Sequence, residues 1–139
     1  MKLVARELSR ARVLDLFAGT GALGLEALSR GAASCDFVEN HGAALHALKA
    51  NVAALRLRER ARVFDRDAIP FAERLAPYTY DVAFADPPYG SRKLDRIVGY
   101  WQRVAFSRVL VLEHAAHHAG LPGKPAATLE DSAVTVLRG

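Results

Sequence analysis

Five short apolar runs recur along the chain: ARVLDLF (11–17), ASCDFVE (33–39), ARVFDRD (61–67), YDVAFA (80–85) and RVLVLEH (108–114), with helical patterns between them. A strand with one face in water alternates apolar and polar residues, whereas a strand buried on both faces reads as a near-continuous apolar run. Parallel strands also need a long crossover between them, usually a helix. The spacing therefore predicts an α/β fold: a doubly wound, mainly parallel sheet covered on both faces.

GALGLEALSR (21–30) is expected to be a helix closed by Gly31, a residue suited to the left-handed position after a helix. Asn40 is a candidate N-cap for the next helix, whose Leu45, Leu48, Val52 and Leu55 recur at helical spacing and face the sheet. Pro70 is expected near the first position of a short helix. A further helix from about Arg92 to Val104 would bury Leu94, Ile97, Val98, Trp101 and Val104. The tail, PAATLE (125–130) and SAVTVLRG (132–139), reads as a closing antiparallel hairpin.

With 139 residues, 51% of them hydrophobic, residues 1–139 make one domain with a proper core. The net charge of +4 favours acidic partners such as nucleic acid, though only weakly. Arg6 and Glu7 precede any apolar stretch long enough for a signal peptide, and no segment approaches a membrane span, so a cytoplasmic location and no membrane partner are expected. Cys35, in the apolar run SCDFVE, reads as a buried, inert thiol. His114, His117 and His118 in HAAHH have spacings that a helix could turn into a metal site, but they lack a clear pattern of partner ligands, and no metal is expected.

In open α/β sheets ligands bind outside the carboxyl ends of the strands, where strand order reverses. Here that rule selects the loop after the first strand, Glu39, Asp67 and Asp86. In LDLFAGTGALG, Gly19, Gly21 and Gly24 match G-x-G-x-x-G, and Glu39 follows where an acid could accept ribose hydroxyls. Taken at face value this is a dinucleotide fingerprint and suggests a small NAD-binding oxidoreductase. Such an enzyme needs a second region to hold its substrate, and the chain ends soon after one sheet. Moreover, Asp15, Glu39 and Asp67 suit a sulfonium and an ammonium better than a pyrophosphate, which they would repel.

ADPPYG (85–90) closes the fourth run. Each proline fixes φ and removes a donor, and a residue before proline is pushed toward extended backbone. Asp86-Pro87-Pro88 is thus a stiff segment that either ends a strand or holds a group in place. Glu113, at the end of the fifth run, could touch substrate or simply solvate a strand end.

VLDLFAGTG, VEN, RDA and FADPPYG, in that order, resemble the Rossmann-like, S-adenosylmethionine-dependent methyltransferases that modify exocyclic amino groups of nucleic-acid bases. FAGTGALGLEALSRGA further resembles the bacterial small-subunit (16S) rRNA guanine-N2 methyltransferases, and the resemblance covers nearly the whole chain. It implies S-adenosylmethionine as cofactor, with Phe17, Gly19 and Gly21 beneath its methionine part and Asp15 toward its ammonium. Glu39 would take the ribose hydroxyls, and Asp67 and Ala68 the adenine, through carboxylate and backbone respectively. The Asp86 carboxylate and the Pro87 carbonyl, held rigid by Pro88, would accept from the target amine and localise its lone pair, while Tyr89 stacks on the base.

The implied partner is ribosomal RNA or a small-subunit ribosomal particle, met by a monomer. Adenine-N6 methylation of DNA uses the same motif, but the chain has no target-recognition domain. Members of the family usually carry a basic amino-terminal extension, whereas about ten residues precede Arg12 here. RNA docking is therefore expected to be weak, and an inactive cofactor-binding module is a further reading.

Overall fold

Strands β1 (Arg12–Leu16), β2 (Ser34–Val38), β3 (Ala61–Phe64), β4 (Tyr80–Ala85), β5 (Ser107–Ala115), β6 (Ala127–Thr128) and β7 (Ser132–Arg138) form one sheet in the computed structural model, which describes residues 1–128 and 130–139. The order is β3-β2-β1-β4-β5-β7-β6. The first five strands run parallel, and β7 is antiparallel to both β5 and β6. The expected doubly wound sheet is present, and its order reverses between β1 and β4. The closing hairpin is also present, although β6 contains only Ala127 and Thr128; Leu129, within the expected PAATLE strand, lies outside the described residues.

Alternation along the strands feeds two cores. Leu14, Leu16, Leu110 and Leu112 pack with Ile97, Trp101 and Phe106. These belong to the face covered by α4 (Ala68–Glu73) and α5 (Lys93–Arg103). Val13, Phe37, Val82 and Phe84 pack with Leu25, Leu28, Leu48 and Val52 on the other face, under α2 (Ala22–Ser29) and α3 (Gly42–Ala54), which also receives Leu8 from α1 (Ala5–Leu8). Cys35 lies in this second core, and burial pushes its thiol well above its ordinary range, which makes it inert. No helix among the described residues is long and apolar enough to cross a membrane.

Four local expectations need correction. His41, not Asn40, is the N-cap of α3, because the Asn40 and His41 N–H groups both turn back to the Glu39 carboxylate. Leu55 is exposed: it is the C-cap of α3, followed by Arg56 in the left-handed region, so it has already left the sheet-facing stripe. Val104 likewise caps α5 in an extended conformation and is exposed. Pro70 is the third residue of α4 rather than the first. Asp67 is the N-cap and accepts from the Ile69 N–H at 3.2 Å. Pro70 is still tolerated because first-turn donors have no partner within the helix.

A buried charge joins three strands. Asp36 accepts two hydrogen bonds from Arg62, at 2.8 and 2.7 Å, and one from the Tyr80 hydroxyl at 2.7 Å. A hydrogen bond to a charged acceptor contributes more than a neutral one. Tyr80→Phe is therefore expected to destabilise the fold by about 1.5–3 kcal/mol in denaturant titration. An unchanged midpoint would mean that Arg62 alone satisfies Asp36.

Candidate active site

The carboxyl ends of β1 to β5 meet at one edge of the sheet, on either side of the point where strand order reverses. Beyond β1 the chain makes a tight turn into α2, with φ of +58° at Phe17, +58° at Gly19 and +90° at Gly21. The turn is pinned by hydrogen bonds from the Ala18 N–H to the Val38 carbonyl at 3.0 Å and from the Gly21 N–H to the Ala18 carbonyl at 2.9 Å. At Phe17 a bulky residue is held in the left-handed region, a strain that persists only where surrounding contacts enforce it and that clusters at ligand sites. A side chain at position 21 would run into Leu48. One at position 24 would run into Phe37 and come 2.7 Å from the Cys35 sulfur, so Gly24 serves close packing of α2 on β2.

Two carboxylates organise this loop from beneath. Asp15 is buried, and its Oδ2 accepts from the Gly24 N–H in the first turn of α2 at 3.1 Å. Burial pushes its carboxyl up to about 8; the Gly24 N–H opposes the shift, while the charges of Asp86 and Glu39 add to it. Glu39 Oε1 accepts from the Gly19 N–H at 2.8 Å, and its Oε2 accepts from the His41 N–H at 2.9 Å and the Asn40 N–H at 3.2 Å. A carboxylate has about four lone-pair sites, so Glu39 keeps room for one further donor rather than for both expected ribose hydroxyls.

Above the loop lie two adjoining cavities that share Phe17, Glu39, Asn40 and Lys93. The smaller, of about 70 Å³, is also lined by Asp67, Ala68 and Arg66. Ala68 is the first residue of α4, where the backbone N–H has no partner within the helix. The larger is a cleft of about 600 Å³ that adds Asp86, Pro87, Pro88, Tyr89 and Glu113. Tyr89 is 51% exposed, which leaves a ring face available. Ser91 Oγ donates to the Pro88 carbonyl at 2.7 Å and closes the loop after the prolines. Burial, and then the neighbouring Glu113 carboxyl, raise Asp86 to about 6.

The sheet thus gathers Phe17, Glu39, Asp67, Ala68 and the Asp86–Tyr89 segment around two adjoining cavities. Asp15, expected toward the ammonium of a cofactor, lies under the loop and lines neither cavity; Gly19 and Gly21 shape the turn without lining either. Glu113, for which two roles were open, is in the cleft beside Asp86. Lys93, the first residue of α5, was missed by the sequence reading. Its Nζ lies 5.9 Å from the centroid of the Phe17 ring, and with Arg66 it offsets the acids that line the two cavities. The signal was a basic residue at the start of the helix that follows ADPPYG. Two of the three histidines are engaged with other partners: His114 with Thr135 at 2.8 Å and His118 with Asp95 at 2.8 Å. Among the described residues no group of metal-capable side chains gathers.

A sheet of this order, with a glycine turn after β1 and cavities at the reversal, defines the Rossmann-like fold of class I methyltransferases. The S-adenosylmethionine-dependent methyltransferase of Agrobacterium tumefaciens shares that fold, with a TM-score of 0.73 and 20% identity over 99% of this chain and 60% of its own. A hypothetical protein of Thermus thermophilus has 30% identity and a TM-score of 0.79, covering 99% of this chain and 81% of its own. The ribosomal RNA small subunit methyltransferase D of Escherichia coli (strain K12) is 35% identical over 119 residues, 84% of this chain and 59% of its own length. The chain belongs to the conserved hypothetical protein 95 family, whose profile matches residues 2–126. It spans about six-tenths of the length of the curated relatives it matches first, 59% in each case. The methyltransferase resemblance read from the sequence is borne out at the level of family and fold.

The buried Asp15 gives a pH signature. Its folded-state pKa of about 8 exceeds the ordinary value of 3.8, so between these values the folded chain keeps a proton that the unfolded chain has lost. Its contribution makes stability fall as pH rises from about 4 to about 8, then level off. Asp15→Asn, which retains an acceptor for Gly24, is expected to flatten this slope in denaturation midpoints measured across pH. An unchanged slope would contradict the assignment.

Proposed function

We propose that the chain is an S-adenosylmethionine-dependent methyltransferase acting on an exocyclic amino group of a nucleic-acid base, guanine N2 of small-subunit ribosomal RNA. One observation carries the choice of cofactor: the glycine-loop amides of Gly19 and Gly24 already donate to the carboxylates of Glu39 and Asp15. A dinucleotide pyrophosphate needs such amides free, since an anion at a helix N-terminus is held by unpaired N–H groups. Here the protein's own carboxyl oxygens occupy those positions, and the Glu39 carboxylate, which borders both cavities, would repel a phosphate. A cofactor carrying an ammonium and a sulfonium fits the acids that do line the cavities, Glu39, Asp67 and Asp86, which disfavours the NAD reading.

When bound, S-adenosylmethionine supplies an electrophilic methyl group on its sulfonium. The chain's residues supply position and polarity. Phe17 and Glu39 border both cavities, so a ligand lying across them reaches Asp67 and Ala68 at one end and Asp86 at the other. An exocyclic base nitrogen is a poor nucleophile because its lone pair is delocalised into the ring. Acceptors at its N–H groups localise that pair, and the Asp86 carboxylate with the Pro87 carbonyl are held in place for this by Pro88. As the nitrogen gains the methyl group it must shed a proton, and Asp86 is the nearby base. Tyr89 offers an exposed ring on which a flipped or unpaired base can stack.

The ribosomal RNA target rests on the likeness to the E. coli enzyme, whose name states that substrate, and on the net charge of +4. With radiolabelled S-adenosylmethionine and undermethylated small ribosomal subunits, Asp86→Ala is expected to keep cofactor affinity in calorimetry while losing about 100-fold or more in transfer. Full activity in that variant would reduce Asp86-Pro87-Pro88 to a strand terminator. In the unaltered protein the transfer rate is expected to fall as pH drops through about 6, because a protonated Asp86 can no longer accept the proton. A rate that is flat from pH 5 to 8 would exclude that role.

A further inference from the structure

Asp86 and Glu113 stand in register at the carboxyl edge of the sheet: Asp86 directly follows β4, and Glu113 lies in β5, two residues before its end. In the parallel pair of β4 and β5, Ala85 stands opposite Leu112, and the next residue of each strand is an acid. Strands in a sheet lie about 4.8 Å apart, so the two carboxyls emerge side by side. Both line the 600 Å³ cleft, next to Tyr89. Their proximity is also felt electrostatically, as Glu113 helps to raise the Asp86 carboxyl to about 6. The Asp86 role follows from the methyltransferase reading, on which this inference rests, but that reading leaves Glu113 without work.

The Watson–Crick edges of the amino-bearing bases differ in the ring atom beside the amine. Adenine places its N6 amine beside the N1 lone pair, and cytosine places its N4 amine beside the N3 lone pair. Guanine alone places its N2 amine beside a donor, N1–H. A flipped base is read at this edge. Two ionised carboxyls offer only acceptors, so they match the adjacent donors of guanine and oppose the ring lone pair of adenine or cytosine.

We propose that Glu113 is the residue that selects guanine, accepting from its N1–H while Asp86 accepts from the reacting N2 amine. Selectivity then lies in two acids side by side at the carboxyl edge of the sheet. A site built to bond a substrate N–H rejects an analogue without it strongly, because the buried acceptor is left unpaired. Tyr89, stacking on any base, adds affinity and little discrimination.

The probe is 2-aminopurine, which keeps the reacting amine and presents a lone pair at N1. Small subunits are reconstituted on RNA carrying either guanine or 2-aminopurine at the acceptor position, and single-turnover methyl transfer is measured. The unaltered protein is expected to prefer guanine by about 100-fold or more. Glu113→Gln is expected to bring the two rates within about 10-fold of each other, since its amide can accept from N1–H or donate to the lone pair. This narrowing assigns the preference to N1 rather than to the carbonyl that 2-aminopurine also lacks. Calorimetry with S-adenosylhomocysteine checks that the variant is folded and keeps its cofactor affinity. Equal rates on both bases, or an unchanged preference in Glu113→Gln, would overturn the role of Glu113 and leave guanine methylation standing. No transfer to guanine by the unaltered protein would overturn both.

Discussion

Two hydrogen bonds from the glycine loop to acids beneath it shape everything above: Gly24 N–H to Asp15, and Gly19 N–H to Glu39. Loop amides of this kind form an anion site in many nucleotide-binding folds. Supplying the acceptors from β1 and from the residue after β2 fixes the turn, and the Glu39 carboxylate reverses the charge that it shows to a ligand. The burial of Asp15 is part of this device, because a carboxyl pushed up to about 8 persists inside the core by keeping its proton or by finding a donor. Phe17, held in the left-handed region, belongs to the same turn and lines both cavities. Its ring carries the Lys93 ammonium on one side of the shared cavity wall.

The second half of the site depends on stiffness rather than charge reversal. Pro87 and Pro88 prevent the segment after β4 from relaxing into helix or sheet, and α5 resumes regular structure only at Lys93. A preorganised acceptor loses little energy to reorganisation when a reacting group arrives. The adjoining β5 carries Glu113 to the same cleft. Under the proposed methyl transfer, donor, target amine and base edge are served from the carboxyl edge of five strands of a single sheet.

Much of this was legible in the sequence because apolar runs on strands and glycines in a turn obey local rules. Runs 80–85 and 108–114 coincide closely with β4 and β5, and Glu39, Asp67 and Asp86 gather where an α/β sheet binds ligands. The misread positions were those where a tertiary partner competes with a local preference. Asn40 has the chemistry of a cap, but its N–H is drawn to Glu39, and the helix starts two residues later. Leu55 and Val104 fit a helical period that the chain has already left. Lys93 carries no motif, and its place over Phe17 exists only once α5 has packed against the loop. Nor does spacing reveal that Glu39 spends three acceptor sites on its own backbone, which limits what remains for a ligand.

The central claim is that acids holding the glycine-loop amides, with the Glu39 carboxylate at the cavities, select a cationic methyl donor against a pyrophosphate. Isothermal calorimetry of the protein with S-adenosylmethionine and with NAD, under one buffer and salt condition, tests it most directly. The expected result is a stoichiometric isotherm for S-adenosylmethionine and no measurable heat of binding for NAD. Tighter binding of NAD would contradict the account, because the loop amides would then have to release Asp15 and Glu39 to hold phosphate.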